Sequence, residues 1–219
     1  LANPSTTAMR WKAIAINADF WSQVLQSRAL KPLDFALGTA MATRREQLKQ
    51  IGGFESLVDF LADDYQLGNK IARTGKEILL LPIVVEGWEP PMNWKRVWTH
   101  QLRWARTIRV CRPAPFFFSI LSNATLWPLL WTAVLLAEKN HIWFVPISLF
   151  LPIRIQSALK MQEWIDRDAK HYAWFWLIPI KDLLNAAIWA LAFLGNEIEW
   201  RGEKFRVLPS GKLKKMGER

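Results

Sequence analysis

Two clusters of side chains in this sequence could do chemistry, and the first is acidic. Asp63 and Asp64 precede Tyr65 in a stretch whose apolar spacing predicts a helix over residues 57–74. Neighbouring helical residues point about 100° apart, so one carboxylate can face a site while the other meets solvent. Such a carboxylate could be the general base that takes a proton from a hydroxyl. The alternative is a solvated helix face or a helix cap without function.

The second cluster is basic and aromatic. His100, Arg103 and Trp104 open it, and Arg106 and Arg109 follow. The three arginines recur at every third residue, which favours one side of a helix. Guanidinium groups present a fork of donors that suits phosphate oxygens, so the cluster could hold a diphosphate leaving group. The alternative is an ordinary basic face at a membrane border.

Patterns of apolar residues predict the elements that must position both clusters. Residues 9–28 are mixed helical and irregular, and residues 33–43 predict a buried strand and turn. A short helix is expected over 44–51, ended by the glycine pair that follows, because glycine readily adopts positive φ. The apolar, β-branched run 77–85 predicts a buried strand packed between helices. An apolar stripe predicts a helix over 94–109.

The chain becomes far more apolar beyond Arg112. Residues 113–137 carry no charge, and a helix of this length would span a hydrocarbon core of about 30 Å. Residues 142–153 form a shorter apolar run that could be a tilted span or a re-entrant piece. Residues 172–195 are apolar except for one Lys-Asp pair, which favours a helix facing protein or lying in the interface.

Composition and charge narrow the class of protein. The chain has 219 residues, 14 Trp and a formal net charge of +10, which suit a membrane surface, a nucleotide phosphate or nucleic acid. The absence of a nucleic-acid-binding motif and the uncharged run make a nucleic-acid partner the least favoured of these. One Cys excludes an internal disulfide, and the three scattered His predict no zinc site.

Positive residues flank the apolar region on both sides, which predicts a multi-pass membrane protein with its catalytic part on the cytoplasmic side. The first crossing would be residues 113–137, entered from that side. Both flanks on one side require an even number of crossings. The sequence leaves open which of the three apolar segments does not cross.

The order of these motifs resembles glycosyltransferases of the family 2 type, and within them the ceramide glucosyltransferase group, family 21, with its bacterial relatives linked to hopanoid synthesis. The matching residues are Gly38-Thr39-Ala40-Met41 with Arg44-Arg45, Gly52-Gly53-Phe54, Ala62-Asp63-Asp64-Tyr65, and His100 with Arg103-Trp104. The segments Glu199-Trp200-Arg201-Gly202 and Phe205-Arg206-Val207 also resemble the bacterial members. The resemblance extends over about residues 15–208.

This resemblance implies an α/β fold in three regions. Residues 1–112 would be the C-terminal part of a nucleotide-diphospho-sugar transferase domain of the GT-A type. Residues 113–195 would be a membrane region with two or three apolar helices, and residues 196–219 a basic cytoplasmic tail.

The resemblance also implies roles for single residues. Asp64 corresponds to the catalytic base, and Arg103 with Trp104 to the motif at the donor diphosphate and the acceptor mouth. Asp63, His100 and Gly38 would belong to the substrate site as well. Position 100 departs from the pattern, because many relatives carry Gln or Arg there.

The reaction implied is an inverting transfer of a sugar, glucose from UDP-glucose, to a lipid hydroxyl such as that of ceramide. A divalent metal, Mg or Mn, is implied with it, and its D-x-D motif is expected before Leu1, so the isolated chain is expected to be inactive. Two alternatives stay open: a hopanoid or other polyisoprenoid acceptor, and a non-catalytic membrane remnant that lacks the donor half.

Overall fold

The computed structural model of the protein describes residues 1–165, 173–200, 202–209 and 211–216. Over these ranges the chain is rich in helices and contains one small antiparallel sheet. It divides into two compact units, Leu1–Ser22 with Trp88–Gly195 and Gln23–Gly87 with Asn196–Arg219. The predicted functional division at residue 112 lies inside the first unit and stays a prediction.

The helices, in chain order, are α1 (Thr7–Ile14), α2 (Trp21–Leu30), α3 (Arg45–Gln50), α4 (Asp63–Arg73), α5 (Trp94–Cys111), α6 (Pro113–Phe118), α7 (Leu126–Ala137), α8 (Val145–Ile165) and α9 (Leu177–Ala192). A π-helical segment, Ala15–Phe20, follows α1, and 3-10 turns cover Phe54–Ser56 and Ser119–Ser122. The strands are β1 (Glu197–Trp200), β2 (Glu203–Val207) and β3 (Leu213–Lys215).

The helical core of the first unit packs α1 and α5 against α9. Trp11 and Val97 are fully buried there, together with Ala192. Burying a side chain such as that of Val97 stabilises the fold by about 1.5–3 kcal/mol. Asn93 begins α5 because its side-chain oxygen accepts a hydrogen bond from the backbone N–H of Arg96 at 3.0 Å. The predicted helix over 94–109 is therefore confirmed.

The second unit places α4 over a small apolar cluster that includes Leu57, Leu67 and Ile71. Its predicted short helix over 44–51 is confirmed as α3, and Gly52 and Gly53 after it have positive φ, at 92° and 72°. Helix α4 begins at residue 63 rather than 57, because the preceding residues form a turn and a bridge.

The two predicted buried strands, 33–43 and 77–85, are wrong. They share one isolated bridge, between Leu33 and Ile78, and the other described residues of both segments form no strand. Leu79 and Ile83 are 68% and 70% exposed. The run 77–85 is apolar, as the prediction assumed. It contains Pro82, however, which has no backbone N–H to donate to a neighbouring strand.

The predicted single membrane helix over 113–137 is also wrong. The run is broken into α6 with its 3-10 extension and α7, at an angle of 51°. At the break, Oδ1 of Asn123 accepts the backbone N–H groups of Thr125 at 3.3 Å and of Leu126 at 2.9 Å, a local turn that competes with a continuous helix. In the described part of the chain, no helix alone has the length and apolar composition of a membrane span, although Pro113–Ser122 and Leu126–Ala137 meet these criteria as a bent pair.

The other two apolar segments are helical. Residues 142–153 lead into α8, which continues through Pro152. Residues 172–195 contain α9, and residue 172 lies outside the described ranges.

The segment predicted as a basic tail folds into the sheet over its described residues. Strand β2 pairs antiparallel with both β1 and β3, and Phe205 stands opposite Lys215. This meander belongs to the second unit, where Lys212 bridges to Phe60.

Candidate active site

The acid pair stands at the N-terminus of α4. The backbone N–H of Asp64 donates to Oδ1 of Asp63 at 3.0 Å, and the N–H of Tyr65 donates to Oδ1 of Asp64 at 2.7 Å. Carboxylates are favoured in the first turn of a helix because the helix dipole is positive there. Local hydrogen bonds and the dipole together hold the two carboxylates in place.

Gly38 meets the carboxylate of Asp64. A Cβ atom at position 38 would lie 2.8 Å from Oδ2 of Asp64, and the backbone N–H of Gly38 donates a hydrogen bond to this side chain. Residue 38 must be glycine for the two residues to come so close. Two of the predicted site residues are therefore brought together.

The pKa of Asp64 is raised above the ordinary carboxyl value. Burial is the main cause, because a charged carboxylate loses water contacts, and the neighbouring charge of Asp63 adds to it. The hydrogen bonds from Tyr65 and Gly38 act in the opposite direction without cancelling the effect. A carboxylate with a raised pKa is a stronger base.

An extended segment lies along α4 and holds it in place. Asn69 donates to the carbonyl oxygen of Asp34 at 3.1 Å, and the ring of Tyr65 stacks on that of Phe35 at 6.5 Å. Gly68 has no room for a side chain, because the backbone of residues 35–36 occupies that space. These contacts were not predicted from the sequence, where the glycine at 68 in a helical pattern was the available signal.

The C-terminal meander is tied to the residues that precede the acid pair. The N–H of Leu213 donates to the carbonyl oxygen of Asp59 at 2.7 Å, and Lys212 pairs with the Asp59 carboxylate at 3.0 Å. The Lys212 ammonium also lies 5.7 Å from the ring of Phe60. One long-range backbone hydrogen bond and one ion pair therefore fix the chain just before α4.

The basic and aromatic residues lie together on α5. His100 and Trp104, one turn apart, have ring centroids 4.8 Å apart, and Trp104 lies 6.3 Å from the ring of Phe20. Arg103 lies between them in sequence, and burial lowers its pKa. The predicted residues His100, Arg103 and Trp104 are therefore close neighbours.

Lys12 is a charged residue near His100 and Arg103 that was not predicted from the sequence. Its side chain is fully buried, and its ammonium lies 2.6 Å from both carboxylate oxygens of Glu89. Burial lowers the pKa of Lys12, and the charges of Arg103 and Arg96 lower it further. A lone lysine within the apolar stretch of α1 was the signal that could have identified it.

His100 is neutral at physiological pH. Burial lowers its pKa to about 3, with further contributions from the positive charges of Lys12, Arg103 and Arg96. Its Nδ1 atom is buried and has no hydrogen-bond partner among the described residues. The positive charge of this cluster therefore comes from lysine and arginine and not from the imidazole.

The three arginines predicted to share one face have different surroundings. Arg109 donates to the carbonyl oxygen of Gly195 at 3.3 Å and lies 5.6 Å from the ring of Phe193. Arg106 also lies near Gly195, since a Cβ atom there would be 3.7 Å from its Nη2. These two cations face the chain just beyond α9, where helix carbonyls favour positive charge. Arg103 is the member of the series that faces His100 and Lys12.

The residues that the structure describes do not fit a divalent metal site. In the described ranges no group of three or more His, Cys, Asp or Glu side chains is arranged to hold a metal ion. Asp63 and Asp64 supply two adjacent carboxylates and no third ligand. The expected Mg or Mn therefore has no assigned ligands among the described residues, and it stays a prediction.

The predicted site residues belong to different compact units. Gly38, Asp63 and Asp64 lie in the second unit, and His100, Arg103 and Trp104 lie in the first. Each set forms a local arrangement within its own unit.

Known proteins resemble this chain in sequence. The profile of glycosyl transferase family 21 matches residues 2–213. A ceramide glucosyltransferase from Candida albicans is 29% identical over 68 residues, which are 31% of this chain and 12% of that protein. The shared stretch is thus a small part of that relative's length. No solved structure matches the chain.

Proposed function

Because this chain belongs to glycosyl transferase family 21, as its motif order predicted, we propose that it transfers glucose from UDP-glucose to the hydroxyl of a membrane lipid such as ceramide. The proposed catalytic part has the GT-A fold. The observation that carries the proposal is the Asp64 carboxylate, which is half-buried, in contact with Gly38 and raised in pKa. The name of the fungal relative supports the lipid acceptor.

The proposed reaction is a direct displacement. Asp64 takes the proton from the lipid hydroxyl, and the oxygen forms a bond to the anomeric carbon of the sugar. The bond between that carbon and the diphosphate oxygen breaks, and UDP leaves with the electron pair. Attack from the opposite face inverts the anomeric configuration.

Arg103 is proposed to offset the negative charge that develops on the diphosphate. Charge-assisted hydrogen bonds from a guanidinium suit phosphate oxygens, and fixed donors stabilise charge that appears in the transition state. The proximity of Lys12 and Arg96 supports this role, because both charges act on the neighbouring His100. Asp63, His100 and Trp104 are proposed to contact the substrates.

We further propose that the protein is held at a membrane with its catalytic part on the cytoplasmic side. Helices α7 and α8 and the turn between them leave large apolar side chains exposed, which is typical of a surface that meets another apolar phase. Examples are Trp127, Trp131, Trp143, Phe144, Phe150 and Ile153. Tryptophan is favoured where such a surface meets water.

The test is product analysis with the complete protein in which this chain occurs. It would be reconstituted in nanodiscs and given radiolabelled UDP-glucose with ceramide, with a hopanoid alcohol or with no acceptor. The proposal expects labelled glucosylceramide from the wild type and none from Asp64→Asn. Transfer to the hopanoid alone would replace ceramide as the acceptor, and no transfer from UDP-glucose to either lipid would contradict the proposal.

A further inference from the structure

Four charged side chains meet inside the first unit, and the proposed reaction uses none of them. Arg154 contacts two carboxylates: its Nη2 lies 2.7 Å from Oδ1 of Asp19 and 2.8 Å from Oδ1 of Asp182. Lys181 pairs with the same two carboxylates, at 2.7 Å from Oδ1 of Asp182. We call these four residues the buried charge cluster.

Two neutral side chains and a second contact from Arg154 complete the surroundings of Asp182. The hydroxyl of Thr125 donates to its Oδ2 at 2.6 Å, and Arg154 Nε donates to the same oxygen at 2.8 Å. The side-chain amide of Asn123 donates to its backbone carbonyl at 2.8 Å. The buried charge cluster therefore connects the π-helical segment, α8 and α9, and these two neutral side chains connect it to the break before α7.

Burial of these charges is costly. The side chains of Lys181 and Asp182 are 2% and 4% exposed. Removing ions from water costs several kcal/mol each, and ion pairing commonly does no better than an apolar core of the same volume. Stability alone is therefore a weak reason for this arrangement, whereas directional ion pairs fix the relative orientation of the elements that carry them.

The element oriented most directly is the π-helical segment Ala15–Phe20, which carries Asp19. A π turn holds one residue more than an α turn, so a return to α-helical geometry would rotate the residues after it by about 100°. Before the segment, Lys12 is fixed by Glu89. Near the end of the segment, Asp19 is fixed by Arg154 and Lys181. Most of the π turn therefore lies between two fixed ion pairs, and a change to α-helical geometry would turn Asp19 away from its partners while Lys12 stays paired.

The residue next to Asp19 reaches the basic helix. Phe20 lies 6.3 Å from the ring of Trp104, and Trp104 lies 4.8 Å from His100. A rotation of Phe20 would remove the ring that supports Trp104 on this side. The orientation of Asp19 is thus connected to α5 by two ring contacts.

We infer that the buried charge cluster positions the Trp104 side chain, by holding the π-helical segment in the geometry that places Phe20 against it. Asp19, Arg154, Lys181 and Asp182 are positioning residues and do not contact a substrate. The consequence for sugar transfer rests on the proposed function, whereas the effect on Trp104 does not.

The test uses fluorine NMR of the complete protein labelled with 5-fluorotryptophan. The signal of Trp104 is assigned by its loss in Trp104→Phe. Asp19→Asn keeps the size of the side chain but removes the charge that pairs with Arg154 and Lys181, so the Trp104 signal should move. The matched control is Glu163→Gln, which removes an exposed ion pair with Lys160 on the same helix α8. It should leave the signal in place.

An unmoved Trp104 signal in folded Asp19→Asn would overturn the inference. If Asp19→Asn does not fold, Arg154→Lys takes its place, because lysine keeps the charge but loses the fork that reaches both carboxylates. A moved Trp104 signal in Arg154→Lys would then support the inference, and an unmoved signal would overturn it.

Kinetics separate positioning from substrate contact. In the active protein Asp19→Asn should lower kcat/KM by up to about 10²-fold, the effect of misplacing a group by roughly 1 Å. The pH dependence of the rate should stay unchanged, because the base is untouched. A wild type without transferase activity would refute the proposed function, and the NMR result would still decide the positioning role.

Discussion

Position 38 and the carboxylate of Asp64 are so close that a Cβ atom on residue 38 would stand 2.8 Å from Oδ2. The carboxylate can keep its place only while residue 38 is glycine. The prediction is that Gly38→Ala displaces Asp64 and destabilises the fold by about 1–3 kcal/mol, the usual effect of one excess methyl group in a packed site. Transferase activity should fall with it, by about 10²-fold for a displacement near 1 Å.

The matched control is Gly87→Ala, because nothing lies within 4 Å of a Cβ atom there. Urea unfolding and initial rates would be measured for both variants. Equal rates and equal stabilities for the two would show that the contact at Gly38 has no consequence.

The two carboxylates of the acid pair should differ in function. Asp64→Asn is expected to keep the fold and the binding of UDP but to lower kcat by about 10²–10⁴-fold, since a general base is lost. Asp63→Asn should lower it less, because the neighbouring carboxylate points elsewhere on the helix. Single-turnover rates and UDP titrations check both, and a fully active Asp64→Asn enzyme would refute the mechanism.

The raised pKa of Asp64 also makes a prediction for stability. A carboxyl whose pKa is higher in the folded than in the unfolded state binds its proton more tightly when folded. Its contribution to stability is therefore present at low pH and is lost as the pH rises through the folded pKa. At neutral pH, Asp64→Asn should accordingly raise the Tm, and the difference should vanish at a pH where the carboxyl is protonated in both states.

Thermal unfolding from acid to neutral pH checks this, with Asp63→Asn as the comparison. The rate of transfer should show its acid limb above the ordinary carboxyl range, because the base works only when deprotonated. An Asp64→Asn protein less stable than the wild type at neutral pH would contradict the sign.

His100 should make the stability of the fold depend on pH, with a sign opposite to that of Asp64. Its pKa falls from 6.5 to about 3 on folding, so the unfolded state binds more protons between these values. Stability should therefore decrease as the pH falls from about 6.5 towards 3. His100→Gln should lose that part of the decrease, and His141→Gln, at an exposed position, should retain it. Tm measured against pH decides between them.

Local features of this chain were predictable, and distant pairings were not. The helices over 44–51 and 94–109 follow from apolar spacing and from end signals within the same stretch. The family resemblance implied that Gly38 and Asp64 belong to one site, but their direct contact was not predicted. The run 77–85 is apolar enough for a strand, but whether it is buried depends on neighbours that its own composition does not specify.

Single polar residues explain other differences between the predicted and the observed structure. Asn123 lies at the break in the uncharged run, where its side chain hydrogen-bonds to the backbone at the start of α7. The mean hydropathy of the run does not contain this local effect. Lys12 and Asp19 lie in a stretch read as mixed, and their partners are Glu89 and Arg154, far away in sequence. Long-range ion pairs of this kind have no periodic signature.

The contact of the C-terminal meander with Asp59 has a consequence for the order of folding during synthesis. Lys212 and Asp59 are separated by 153 positions in the chain, so their pairing has a high contact order. At about 5–20 residues per second, the ribosome needs roughly 8–30 s to make the intervening chain. The segment before the acid pair therefore gains its last support only after α5 to α9 have emerged. A nascent chain that stops earlier would contain Asp64 without β3, the strand that contacts the residues just before α4.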